Sequence, residues 1–159
     1  MNSRILAAPA IVLVALVAGS GCGGSDSETS AGSSAQPLTK AEFVRQGDAI
    51  CRKGISAKNR AVEESLDKLG EQERSNQATL ERLLVEVALP PVQEMAEELD
   101  ELGVPEGEKK KVAVVVGALE AALEDAEADP ATALNESEKI FGRSDRLAAR
   151  YGLKACAQV

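Results

Sequence analysis

A chain of 159 residues carrying a formal charge of −8 is long enough for one domain, and its acidity gives it no general attraction for nucleic acid. Histidine is absent, which removes histidine-based triads, imidazole haem ligation, most zinc sites and the carboxylate–histidine di-iron pattern of helical bundles. Phe43, Phe141 and Tyr151 are the only aromatics. The core must therefore come from Leu, Val, Ile and Ala, and 26 alanines among many Glu, Leu, Lys and Arg favour helix.

In chain order, Met1–Arg4 supplies a short positive start, and Ile5–Ala18 follows as a 14-residue apolar run that contains Pro9 and no charge. That run is short for a spanning helix and suits a secretory signal. Gly19-Ser20-Gly21 then places small residues directly before Cys22. The segment resembles a bacterial lipoprotein signal, in which such a cysteine receives lipid and becomes the mature N-terminus. Where that signal usually carries Leu three residues before the cysteine, this chain has Gly19. The expected organisation is a signal peptide over residues 1–21, a lipidated Cys22 with a flexible linker over 22–38, and a helical domain over 39–159. Ordinary secretion, with Cys22 as a bystander, is the alternative. Loss of Arg4 with the signal would bring the charge to −9. Residues 23–38 (GGSDSETSAGSSAQPL) are Gly/Ser-rich, with a root-mean-square reach of about 20–25 Å.

Thr39-Lys40-Ala41-Glu42 fits a capping box, with Leu38 and Phe43 placed for a hydrophobic staple. The first helix should run to about Leu69 and stop at Gly70. Its inward stripe reads Phe43, Gly47, Ile50, Gly54, Ala57 and Ala61, flanked by a second row of Val44, Cys51, Ile55, Val62, Leu66 and Leu69. Gly47, Gly54 and Ala61 recur every seven residues, which predicts close approach of a neighbouring helix; a frayed helix tolerating two glycines is the plainer reading. A second helix starts near Glu71–Ser75 and carries Leu80, Leu83, Leu84, Val87 and Ala88. Pro90-Pro91 must interrupt it, leaving the carbonyls of Glu86 and Val87 without their usual donors, and Val92–Leu102 resumes as a separate arm. The third helix spans Glu108–Ala128, with Val112, Val115, Val116, Leu119, Ala122, Leu123 and Ala126 inward. Asp129-Pro130 caps a fourth that runs to Tyr151, with a restart near Asn135–Ser137 as a variant, and with Leu134, Ile140, Phe141, Leu147, Ala148 and Tyr151 inward. Gly152-Leu153 reads as a left-handed helix end with an apolar clamp. The fold class is all-α: an up-and-down bundle of about four helices, one kinked at Pro90-Pro91.

Candidate chemistry is sparse. Glu94, Glu97, Glu98, Asp100 and Glu101 close the second helix while Lys109, Lys110 and Lys111 open the third, each cluster opposing its own helix dipole. Pairing across the hairpin would offset that cost, and an acidic patch for a cation or basic partner is the functional alternative. Glu97 and Glu101 share a face without an apolar pocket to raise a pKa. Arg143, Arg146 and Arg150 line one side of the fourth helix, as an ordinary solvated face or as a contact for phosphates or an acidic partner. Asn135-Glu136-Ser137 matches a glycosylation sequon, a pattern common by chance. No catalytic motif or cofactor fingerprint is present in the mature domain, so neither catalytic nor metal-ligating residues nor a cofactor are expected, and the chain is read as a non-enzyme.

The segments LTKAEFVRQGDAICRKG (38–54) and YGLKAC (151–156), behind the lipoprotein-like start, resemble small exported helical proteins of high-GC Gram-positive bacteria, a group without an established activity. That resemblance implies a helical domain with a cysteine near each end. Three cysteines are odd for an exported chain, but lipidation of Cys22 would leave Cys51 and Cys156 as a pair in an oxidising compartment. The tail after Leu153 is free to fold back along the first helix, so a Cys51–Cys156 disulfide is expected. Two buried thiols, or a reactive Cys51 lacking a histidine to activate it, are the alternatives. The functional expectation is a non-enzymatic cell-envelope lipoprotein, anchored to the outer face of the cytoplasmic membrane through its N-terminal lipid and contacting an envelope protein or ligand. An extracytoplasmic small-molecule or ion binder is the alternative, and free secretion is the alternative address.

Overall fold

Thr39 opens the first helix by a reciprocal box: its hydroxyl accepts from the Glu42 amide at 3.2 Å, and Glu42 Oε2 accepts from the Thr39 amide at 2.9 Å. These contacts, and all that follow, come from a computed structural model that describes residues 38–159. The expected signal peptide, Cys22 and the linker up to Pro37 lie outside the described residues. Helix α1 spans Lys40–Leu66, about 40 Å at the usual rise per residue. It stops three residues before the expected Leu69, because the chain tightens there: the Lys68 amide reaches the Ser65 carbonyl and the Leu69 amide the Leu66 carbonyl.

The expected second helix is divided. Helix α2 is the short segment Glu71–Arg74 and α3 spans Gln77–Leu83. Ser75 and Asn76 break the ladder by bonding to it themselves. Ser75 Oγ donates to the Glu71 and Gln72 carbonyls, and Asn76 Oδ1 accepts from the Thr79 amide at 3.0 Å to cap α3.

The interruption at the prolines takes a specific form. Neither Pro90 nor Pro91 has an amide hydrogen to give the carbonyls of Glu86 and Val87 at helical spacing. The last turn before them widens: Leu84–Ala88 is a π-turn, in which the Leu89 amide reaches back five residues to the Leu84 carbonyl at 2.9 Å. Helix α4 (Pro90–Glu101) then restarts from Leu89, whose carbonyl accepts from both Val92 and Gln93 at 2.9 Å. Both prolines sit in the first turn of α4, where a missing donor costs little.

Helix α5 spans Lys109–Ala128 and buries the whole expected face, with Ala118 in addition. Asp129 caps α6 (Pro130–Asn135), its Oδ1 accepting from the Thr132 amide at 3.0 Å. The restart is realised at Glu136, and α7 runs Ser137–Tyr151. Because α6 is so short and turns Ala133 to the core, Leu134 stands 38% exposed, a correction to its expected inward place. Gly152 adopts φ 114°, a left-handed value that side chains resist. The Leu153 amide closes this helix end on the Ala148 carbonyl at 2.9 Å.

The packing order is α1 against α4, α4 against α5, and α5 against α7. A final 3₁₀ turn, Cys156–Gln158, touches both α7 and α1 and so closes the bundle into a ring. Phe43, Met95, Leu99, Leu153, Val92 and Cys51 are its most deeply buried side chains. The first half of α1 is the more deeply buried, while its second half packs against the π-turn Leu84–Ala88. Phe43, Gly47, Cys51 and Gly54 are buried, whereas Ile50, Ala57 and Ala61 of the expected stripe are half-buried. Helix α4 has only 12 residues to cover a helix of 27. Core, disulfide and caps all close within the described residues 38–159.

Candidate functional site

Cys51 and Cys156 form the expected disulfide, with Cα atoms 5.0 Å apart and both residues buried. Several side chains deliver the tail to α1. Leu153 inserts over Gly47, where any Cβ would lie 2.6 Å from Leu153 Cδ2. The Ala155 amide donates to Asp48 Oδ1 at 2.8 Å, across 107 residues. Gly47, Asp48 and Cys51 thus form a latch on successive turns of α1. Gly54 serves the next neighbour, since its Cβ would lie 2.7 Å from Met95 Cβ on α4. The expected close approach is present at both glycines. Cys22, the expected lipidation site, lies outside the described residues.

An open groove of about 500 Å³ lies where α1, α5 and α7 meet. Lys40, Lys110, Lys111 and Arg150 rim it; Val114, Val115, Leu147 and Tyr151 supply its floor and walls. Val114 is 52% exposed, the most exposed large apolar residue among the described residues. Tyr151 ties this groove to the core: its ring meets Phe43 edge-on at 5.8 Å on one side and carries Lys40 Nζ at 4.7 Å on the other. The buried phenol oxygen has no hydrogen-bond partner among the described residues, and burial, then the nearby Glu108 charge, raise its pKa. Glu108 is the acid beside the rim, accepting from Lys111 Nζ at 2.8 Å with Lys40 Nζ at 3.8 Å. The Lys111 hydrogen bond, then the charges of Lys111 and Lys40, hold its pKa below the ordinary carboxylate value.

The hairpin pairing expected between the acidic end of α4 and Lys109–Lys111 does not form among the described residues. Glu98 instead meets Lys53 of α1 at 2.5 Å, and Lys111 turns to Glu108. The arginine row is split as well: Arg146 pairs with Glu138 at 2.6 Å, Arg143 is exposed, and Arg150 lies at the groove. Composition alone could not have found the groove, because its four cations come from three separate helices.

A second cleft, about 290 Å³ between α4 and α5, is acidic, with Glu97, Glu120, Glu124 and Glu127 on its walls. Lys58 and Asp145 form a third electrostatic feature: burial lowers the Lys58 pKa, and burial first, then the Glu138 charge, raise that of Asp145. Asp145 Oδ1 is buried without a hydrogen-bond partner among the described residues. In the core, the void lined by Leu99, Val115, Val116, Leu119, Ser144, Ala148 and Cys156 measures only about 10 Å³, the scale of a single water. Among the described residues no cluster of three or more metal-ligating side chains occurs, and no helix is long and apolar enough to cross a membrane.

The fold and site define a disulfide-closed all-α bundle with an open, cation-rimmed apolar groove. Comparison with known protein families, with curated proteins and with solved structures finds no match to this chain.

Proposed function

We propose that this protein is a non-enzymatic lipoprotein of the cell envelope, one of the small exported helical proteins it resembles, and that it works through surface contacts. The observation that carries the contact reading is the open groove, which offers charge and apolar area together, beside a core void of only about 10 Å³ that is too small for a small-molecule ligand. The disulfide supports the extracytoplasmic address, since such bonds persist in oxidising compartments. The anchor reading rests on Gly19-Ser20-Gly21-Cys22 behind the apolar run. Two or more acyl chains at Cys22 would hold the domain stably at the membrane, with the linker as tether.

Fractionation of a Gram-positive host expressing the full chain tests this. Wild type is expected in the membrane fraction, and Cys22→Ala in the medium or retained with its signal uncleaved. Wild type and Cys22→Ala both appearing in the medium at the same size would end the anchor reading.

A further inference from the structure

We infer that the cation-rimmed groove is a docking surface for anionic lipid head groups, seating the domain face-down on the membrane to which its linker leads. The setting rests on the envelope reading above, while the chemistry stands on the groove alone.

Charge placement is the first support. Lys109, Lys110 and Lys111 occupy the first turn of α5, where the helix dipole disfavours cations, and Glu124, Asp125 and Glu127 occupy its last turns, where the dipole disfavours anions. Local stability would favour the reverse order, and departures of this kind collect at functional surfaces. Lys110 and Arg150 enter none of the ion pairs among the described residues, so their charges are available to a partner. Lys111 and Glu127 stand about 24 Å apart along α5, so the cations and the carboxylates occupy opposite ends of that helix. In a chain of net charge −8, four cations gathered at the groove favour turning that face toward an anionic surface.

The floor supplies the second support. A soluble anion needs only the cations, whereas Val114, 52% exposed between Lys110 and Arg150, matches the boundary between head group and acyl chain. Connectivity supplies the third. Lys40, on the rim, lies two residues after Leu38, where the 16-residue linker from Cys22 ends. A lipid at Cys22 would therefore hold this end of the bundle within about 20–25 Å of the head groups.

The test uses the unacylated chain Gly23–Val159, which contains the whole folded unit, and co-sedimentation with vesicles of equal phosphatidylglycerol and phosphatidylcholine or of phosphatidylcholine alone. Binding to the anionic vesicles only, weakening as salt is raised, is expected. Lys110→Gln with Arg150→Gln should weaken it about 25-fold, at about fivefold per cation. Arg60→Gln with Lys68→Gln, at the far end of α1, should change it less than about twofold. The chain has no tryptophan, so Val114→Trp gives a single reporter whose emission should shift to the blue on the anionic vesicles. Failure to sediment, equal binding to neutral vesicles, equal loss in both double variants, or an unmoved Trp emission in bound protein would each overturn the inference. Competition by inorganic phosphate at equal phosphate concentration would also overturn it, by assigning the rim to a soluble anion. Because acylation is absent throughout, these outcomes are independent of whether Cys22 is the anchor.

Discussion

Three glycines on the same kind of helical backbone should respond to alanine in opposite directions. Gly117 is exposed, and a Cβ added there would meet nothing within 4 Å, so Gly117→Ala should stabilise by about 0.5–1 kcal/mol through the ordinary helix preference. Gly54→Ala places a methyl 2.7 Å from Met95 Cβ, an atom fixed by the α4 backbone, and should destabilise by about 1–3 kcal/mol. Gly47→Ala meets the flexible end of Leu153 at 2.6 Å and should cost less than Gly54→Ala. Thermal and urea melts of the oxidised proteins check the order. Asp145 gives a pH-dependent case. Burial raises its pKa in the folded state, so its ionised form opposes folding above that raised value and the penalty vanishes below its ordinary pKa. Asp145→Asn should therefore raise the melting temperature at neutral pH, and the gain should fade as pH falls toward about 4; a gain that persists in acid would exclude this cause. Residues acting within one turn are the legible ones: Thr39 and Glu42 declare their capping box in four letters. Asp48 is not legible, because its partner lies 107 residues away.

Among elements, α5 trades stability for charge placement. Lys110→Glu should stabilise the domain by about 0.3–1 kcal/mol, by placing an anion at the helix N-terminus, while abolishing binding to anionic vesicles. Calorimetry and sedimentation on one sample test both halves. Asn76→Ala should cost about 1 kcal/mol through loss of the α3 cap, read as a lower urea midpoint. The element pattern is legible wherever a long face is buried on one side, as in α5, whose expected inward residues are all buried. It fails where competing turns decide. Leu80, Leu83, Leu84, Val87 and Ala88 carry the same period whether the last turn is α or π, so only the prolines signal a break and nothing signals its wider ring. Periodicity likewise places Leu134 inward, because the apolar period alone does not decide that the short α6 turns Ala133 to the core instead.

On the scale of the whole molecule, the tail reinforces the direct contact that Phe43 and Lys40 of α1 make with Tyr151 of α7. The disulfide closes a separation of 105 residues, for which the chain-entropy account gives about 4.7 kcal/mol, and loss of such a bond from a small exported domain costs about 2–5 kcal/mol. That is a large share of the total for a domain of this size. Cys51→Ser with Cys156→Ser should lower the urea midpoint accordingly. The fold class and the cysteine pair are legible because helix periodicity and cysteine arithmetic act through composition and spacing. The groove is not, since it exists only once α1, α5 and α7 are brought together.

Anchor and disulfide meet in a single experiment: intact mass, after thiol alkylation under denaturing, non-reducing conditions, of the full chain extracted from host membranes. The predicted species begins at Cys22, carries acyl chains and takes up no alkylating agent, because Cys51 and Cys156 are joined. An unmodified N-terminus at another residue, or alkylation at two thiols, would contradict it.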